Sequence, residues 1–246
     1  MKHSTLIFHG DLPKLLKHRF RGENNIQYAK DRPTSIKDVI ESLGIPHTEI
    51  GQILTDKSEI DFAQNIQDLD EIHIFPCMPP VNLRIPSLLR PGTIEKTAFI
   101  VDVNVGKLAG LLRLCGFDAV TVENQEDEAI ARNGCHENRI ILTRDKELLK
   151  RKIVMFGRLV RNTEPIGQLK EIITLYDLHD EIKPFSRCMH CNGMLAAVTK
   201  EEIIHRLEPL TKKYFDVFQQ CRSCGRIYWP GSHHEKLQAL IDAARK

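Results

Sequence analysis

Apolar and polar positions change texture twice along the chain. From residue 1 to 80 the apolar runs are short. Ser4–Phe8, Asn25–Tyr28, Glu49–Thr55 and Glu71–Phe75 read as strands. Between the second and third, RPTSIKDVIESLGIP places Ile36, Val39, Ile40 and Leu43 on one helical stripe, with Thr34 or Ser35 suited to the N-cap and Gly44 as the stop. The order, two strands, a helix and two strands, predicts a small mixed sheet wrapped on one helix. Four prolines then punctuate MPPVNLRIPSLLRPGTIEK. Proline fixes φ and removes donors, so residues 81–96 are expected to be an extended linker laid along a surface.

From 97 to 183, strand and helix patterns alternate. TAFIVDV, DAVTV, RIILT and VMFGRLV read as buried strands. After them come the helical patterns VGKLAGLLRLCG, QEDEAIARNG, DKELLKR and PIGQLKEIITLYDLHD. The first turns Leu108, Leu111, Leu112 and Cys115 inward and ends at Gly116, and the last carries Pro165 in its first turn. This alternation predicts a parallel sheet with helices on both faces, whose ligands bind beyond the carboxyl ends of the strands. The remainder, 184–246, holds paired cysteines, a helix-like insert TKEEIIHRLEPL and a final helix. For that helix Ser232 and Glu235 make a capping box, and Leu237, Leu240 and Ile241 make the apolar face.

Composition changes this picture little. Apolar residues make up 41% and charged residues 28%, as in ordinary soluble proteins. No apolar run approaches the roughly 20 residues that span a bilayer, so no membrane partner is expected. MKHSTLIFHGDLPK breaks its apolar run too early for an export signal, so the expected location is cytoplasmic. The net charge of +2 says nothing about nucleic acid. Local charge says more: Arg144, Lys146, Lys150, Arg151, Lys152, Arg158 and Arg161 crowd against only Asp145 and Glu147. Alone, such a run is a solvated face.

Two groups of residues carry candidate chemistry. Asp102 ends the first strand of the parallel sheet and Asp145 follows the third, so both project into one crevice. Asp127 and Glu128 open the helix between the second and third strands, and Glu164 starts the last helix. Acids in a first helical turn also complement the helix dipole for purely structural reasons. Convergent carboxylates need a positive partner, and oxygen ligands suit Mg²⁺ or Mn²⁺, which activate water against a phosphodiester. The basic stretch beside Asp145 would then hold a phosphate backbone. No dinucleotide-binding, P-loop or nucleophile-elbow motif competes.

The second group is CMHC (Cys188, Cys191) and CRSCG (Cys221, Cys224). Two C-x2-C knuckles can place four thiolates on one Zn²⁺; disulfides, redox chemistry or His190 as a substitute ligand are the alternatives. With all four positions filled by protein, such a zinc is structural. Tyr228 and Trp229 stand beside Arg222 and Arg226, either to stack a base or to anchor the ribbon on its neighbour. Of the other cysteines, Cys77 reads as a small boundary residue, and Cys115 and Cys135 as core and loop residues.

Two sets of motifs carry a family resemblance. PTSIKDVIESLGIPHTEI and IQDLDEIHIFP resemble the ubiquitin-like β-grasp domain that precedes Mut7-C ribonuclease domains. FIVDVNVGKLAGLLRLCGFDAV, RIILTRDKELLKR, RCMHCNGML and CRSCGRIYWPGSHHEKL are similar to the Mut7-C RNase domain, a branch of the PIN-like nucleases. The resemblance implies an α/β fold: a β-grasp domain over 1–80, a linker over 81–96, a PIN-like parallel sheet flanked by helices over 97–183, and a zinc ribbon with a C-terminal helix over 184–246. It implies a divalent-metal-dependent ribonuclease with RNA as partner and structural zinc on Cys188, Cys191, Cys221 and Cys224. Asp102 matches the first acid and Asp145 the acid of the TRD motif, both holding Mg²⁺ or Mn²⁺. Asp127 or Glu128 lies where the family has its middle acid. Asn104, Lys107 and Arg144 are placed to orient water or touch phosphate. Glu164 stands where the family often has an aspartate. A non-catalytic RNA-binding adaptor, using the ribbon and the basic stretch, is the alternative. The ubiquitin-like domain offers a protein partner a docking module.

Overall fold

The computed structural model describes residues 3–56, 58–122, 125–231 and 238–242. Ser232, Glu235 and Leu237 of the expected final helix lie outside them, while Ile241 is fully buried.

The first sheet contains β1 (His3–Phe8), β2 (Asn25–Ala29), β3 (Ile50–Leu54) and β4 (Glu71–Pro76), packed on α1 (Ile36–Ser42). Its order is β2-β1-β4-β3, with β1 and β4 parallel and the outer pairs antiparallel. This is the ubiquitin-like arrangement of a mixed sheet on one helix. Ser35 caps α1 by accepting from the Asp38 N–H at 3.1 Å.

The second sheet contains β5 (Ala98–Asp102), β6 (Asp118–Val122), β7 (Ile140–Thr143) and β8 (Gly157–Leu159). Every pairing is parallel and the order is β6-β5-β7-β8. The connecting helices are α2 (Gly106–Leu114), α3 (Asp127–His136), α4 (Lys146–Leu149) and α5 (Pro165–Tyr176). Side chains alternate across a strand. Phe99, Val101, Ile140 and Leu142 therefore meet Leu108, Leu112, Leu169 and Ile172 of α2 and α5 on one face. Ile100 and Ile141 turn to the opposite face. Gly116 ends α2 with φ +93°, and a Cβ there would lie 2.3 Å from the Lys183 carbonyl oxygen.

The third sheet is the zinc ribbon. It contains β9 (Leu195–Val198), β10 (Phe218–Cys221) and β11 (Ile227–Tyr228), antiparallel in the order β11-β10-β9. Between β9 and β10, the helix-like insert forms α6 (Lys200–Ile203) and α7 (Pro209–Tyr214).

The first two sheets share one hydrophobic core. Leu12, Leu16, Ile45 and Ile50 pack in the same cluster as Ile100, Ile141, Leu148, Leu149, Val154 and Leu159. Glu49, fully buried just before β3, locks this interface. Its carboxylate accepts from Arg158 Nη1 at 2.8 Å, Arg161 Nη2 at 2.5 Å and the Leu159 N–H at 2.8 Å. Burial pushes the Glu49 carboxyl upward, while Arg158 is held above its ordinary value against its own burial, by Glu49 first and then Glu171. These directions pull apart, and three donors on one carboxylate favour the ionised pair. His47 bridges Glu41 and the Val154 carbonyl oxygen, at 2.6 Å to each, and Lys146 Nζ donates to the Leu15 carbonyl oxygen.

These contacts remove four residues, Lys146, Lys150, Arg158 and Arg161, from the phosphate cradle expected of the basic stretch. Arg158 and Arg161 are bound to Glu49, with Glu171 and Asp11 as further partners, Lys146 reaches into the first domain, and Lys150 pairs with Glu147. The periodicity of residues 144–161 could not reveal a buried acid that lies 109 residues from Arg158 and 112 from Arg161. The linker also does more than cross a surface. Leu83, Leu89 and Ile94 are buried, and Arg90 Nη2 donates to the Thr48 and Ile50 carbonyl oxygens. Cys135, expected in a loop, lies on α3.

Candidate active site

Parallel β5 and β7 are neighbours, while β6 lies on the far side of β5. The chain therefore reverses its direction of winding between β5 and β7, which is where an open α/β sheet leaves a crevice at its carboxyl edge. Asp102, the last residue of β5, stands there and is 8% exposed. Its Oδ2 accepts from Thr143 Oγ1 at 2.6 Å and from Asn104 Nδ2 at 2.7 Å.

Thr143 is the last residue of β7, and its hydroxyl works in both directions. It donates to Asp102 and accepts from the Asp145 N–H at 2.9 Å. Asn104 closes the loop, its Oδ1 accepting from the Arg144 N–H at 3.0 Å. Asp145 is the N-cap of α4; its Oδ1 accepts from the N–H groups of Glu147 at 2.7 Å and Leu148 at 3.4 Å. Asp102, Asn104, Thr143, Arg144 and Asp145 thus form one connected unit. The remaining oxygens, Asp102 Oδ1 and Asp145 Oδ2, have no hydrogen-bond partner among the described residues. Arg144 and Lys107 are exposed.

The middle acids stand differently. Asp127 and Glu128 open α3, and Arg151 lies 3.8 Å from each carboxylate. Glu128 also pairs with Arg132 at 2.9 Å. Glu164 sits exposed at the N-cap position of α5, without a side-chain cap bond. Sequence reasoning missed Thr143. The signal was available: a hydroxyl residue at a strand tip, two before an N-cap acid, faces the neighbouring strand's tip.

A second constellation lies in the ribbon. The Sγ atoms of Cys188, Cys191, Cys221 and Cys224 all fall within 4.8 Å of one another. Cys188 and Cys224 are 3.7 Å apart, and Cys191 and Cys221 are 3.4 Å apart. Four sulfurs at about 2.3 Å from one tetrahedral Zn²⁺ would stand about 3.8 Å apart, so the set fits that ion. Among the described residues it is the one group of three or more His, Cys, Asp or Glu ligands gathered this closely. Desolvation opposes ionisation of Cys188, but the Tyr228 hydroxyl at 3.0 Å and the N–H groups of Cys191 and His190 bring its thiol down to about 6. The Tyr228 hydroxyl is thereby committed to the sulfur cluster.

The ribbon is fixed to the parallel sheet by charge. Arg113 of α2 donates to the carbonyl oxygens of Ala119, Met189 and His190. Asp118, at the start of β6, pairs with Arg139 at 2.6 Å and Arg187 at 3.2 Å and accepts from Asn192. Burial works against the charged form of Asp118, yet these donors, Arg139 first, hold its carboxyl below the ordinary range.

A family model described as Mut7-C RNAse domain matches residues 97–241, and one described as Mut7-C ubiquitin matches residues 1–82. No curated protein and no solved structure matches the chain.

Proposed function

Since the chain belongs to the Mut7-C RNAse domain family, whose model covers more than half its length, we propose that it is a divalent-metal-dependent ribonuclease acting at the crevice between β5 and β7. The observation that supports this most is the single hydroxyl of Thr143 tying Asp102 to the turn that carries Asp145. Both carboxylates keep one oxygen without a hydrogen-bond partner among the described residues, and oxygen donors of that kind suit Mg²⁺ or Mn²⁺. When bound there, such an ion supplies Lewis acidity toward an attacking water and positive charge against the phosphate.

The chain's own residues supply the rest. Asp102 and Asp145 hold the ion. Asp127 or Glu128, released from Arg151, adds the third carboxylate. Asn104 holds the Arg144 turn in place and orients the water. Arg144 and Lys107, both exposed, take the phosphates that Arg158 and Arg161 cannot reach. Structural zinc occupies the four-cysteine cluster, where every ligand position comes from protein. For the ubiquitin-like domain we propose a protein partner on β2, the sheet edge farthest from Glu49.

One observation favours the alternative of a non-catalytic RNA-binding adaptor: Arg151 already neutralises Asp127 and Glu128. The test is cleavage of labelled single-stranded RNA with Mn²⁺ or Mg²⁺. Wild type should cut only with the metal, and Asp102→Asn should lose at least about a hundredfold, the scale of a lost transition-state contact. An unaltered rate in that variant, or wild type that binds RNA and never cuts it, would sink the proposal.

A further inference from the structure

The ribbon contains a groove of about 760 Å³, within the size range of small-ligand sites. Trp229, Phe215, Val217, Phe218 and Met189 line it, and Arg226 stands at its wall. Trp229 is 41% exposed and Val217 68% exposed. The Trp229 ring is tilted against Phe215 and Phe218, with centroids 6.5 Å apart in both cases. One edge of the indole is therefore packed while the side chain still meets solvent. An aromatic that merely anchored the ribbon would be covered.

Among the described residues, the charge around the groove has one sign. No carboxylate lines it among the described residues. Arg187 is spent on Asp118 and the Asn192 carbonyl oxygen. Arg226 is exposed, and its guanidinium has no acid partner among the described residues. A flat apolar ligand carrying negative charge fits such a surface, and a base with its phosphate has that character.

The groove's position sets its role. Leu114, the last residue of α2, lines it, and the ribbon is tied to Asp118, the first residue of β6. Asp102 stands at the opposite end of the strands. From Ala98, paired with Asp118, to Asp102 is four steps along β5, about 13 Å along the sheet. We propose that this groove is a second RNA-binding site, which stacks bases of single-stranded RNA on Trp229 while the phosphodiester cut lies at the far end of the sheet. The proposal rests on the ribonuclease reading for its choice of ligand. It implies that RNA long enough to reach both places is held more tightly than RNA held by the ribbon alone.

The experiment measures equilibrium binding of the full chain to oligouridine without divalent metal, so cleavage does not enter. Trp229→Ala should weaken binding of oligouridine about tenfold, the loss of one stacked base. Trp229→Phe should restore most of the affinity, and Arg226→Glu should weaken it with no change in fold. Ultraviolet cross-linking of bromouracil RNA should mark the peptide containing Trp229. Wild-type affinity in both Trp229→Ala and Arg226→Glu would overturn the proposal and leave the groove to a protein ligand. A protein that binds RNA through Trp229 but never cuts it would instead overturn only the ribonuclease reading.

Discussion

Thr143 turns two distant acids into one site. Its hydroxyl can donate once and accept twice, and it spends this capacity on Asp102, the Asp145 N–H and Asn104 Nδ2. Glu49 has the corresponding role at the interface, with one carboxylate serving two guanidinium groups and a backbone N–H. Removing one member of a buried pair leaves the others uncompensated. Glu49→Gln should therefore lower stability by about 3–5 kcal/mol in urea unfolding at neutral pH. A loss under about 1 kcal/mol would class the cluster with exposed pairs and contradict the lock. The positions of Asp102 and Asp145 beside the strand tips were legible in the sequence because the acids follow apolar runs. Thr143 and Glu49 were not, because each gains meaning only from a partner on another strand or in another sheet.

At the scale of elements, the strands and helices of the parallel sheet were legible from periodicity alone. FIVD and IILT are buried on both faces, and such strands read as unbroken apolar runs. In the stretch after Asp145, the roles of Lys146, Lys150, Arg158 and Arg161 were misread because their charge was counted without their partners. A run of lysines and arginines looks the same whether it faces water or Glu49. The ribbon was legible for a stronger reason: two knuckles at matching spacing have one economical use, and the sulfurs gather within 4.8 Å. Metal analysis of the purified protein should find one zinc per chain. Cys221→Ser should lose it and expose β9 to β11 to proteolysis while the parallel sheet persists. Wild type without bound metal would contradict a zinc ribbon.

At the scale of the molecule, the sequence suggested separable pieces, but the structure joins them. The ubiquitin-like sheet shares a core with one face of the parallel sheet, and Lys146, directly after Asp145, reaches the Leu15 carbonyl oxygen of the first domain. The ribbon grips the opposite edge through Arg113 and Asp118. The described residues contain no helix long and apolar enough to cross a membrane. What these contacts leave open is the carboxyl edge between β5 and β7, where Asp102 and Asp145 each keep one oxygen without a hydrogen-bond partner among the described residues. The most direct measurement is a Mn²⁺ titration of zinc-loaded protein followed by electron paramagnetic resonance. Wild type should bind Mn²⁺ at a site that Asp102→Asn and Asp145→Asn each weaken at least about tenfold, or about 1.4 kcal/mol. Equal Mn²⁺ affinity in wild type and both variants would mean that the two acids hold no ion.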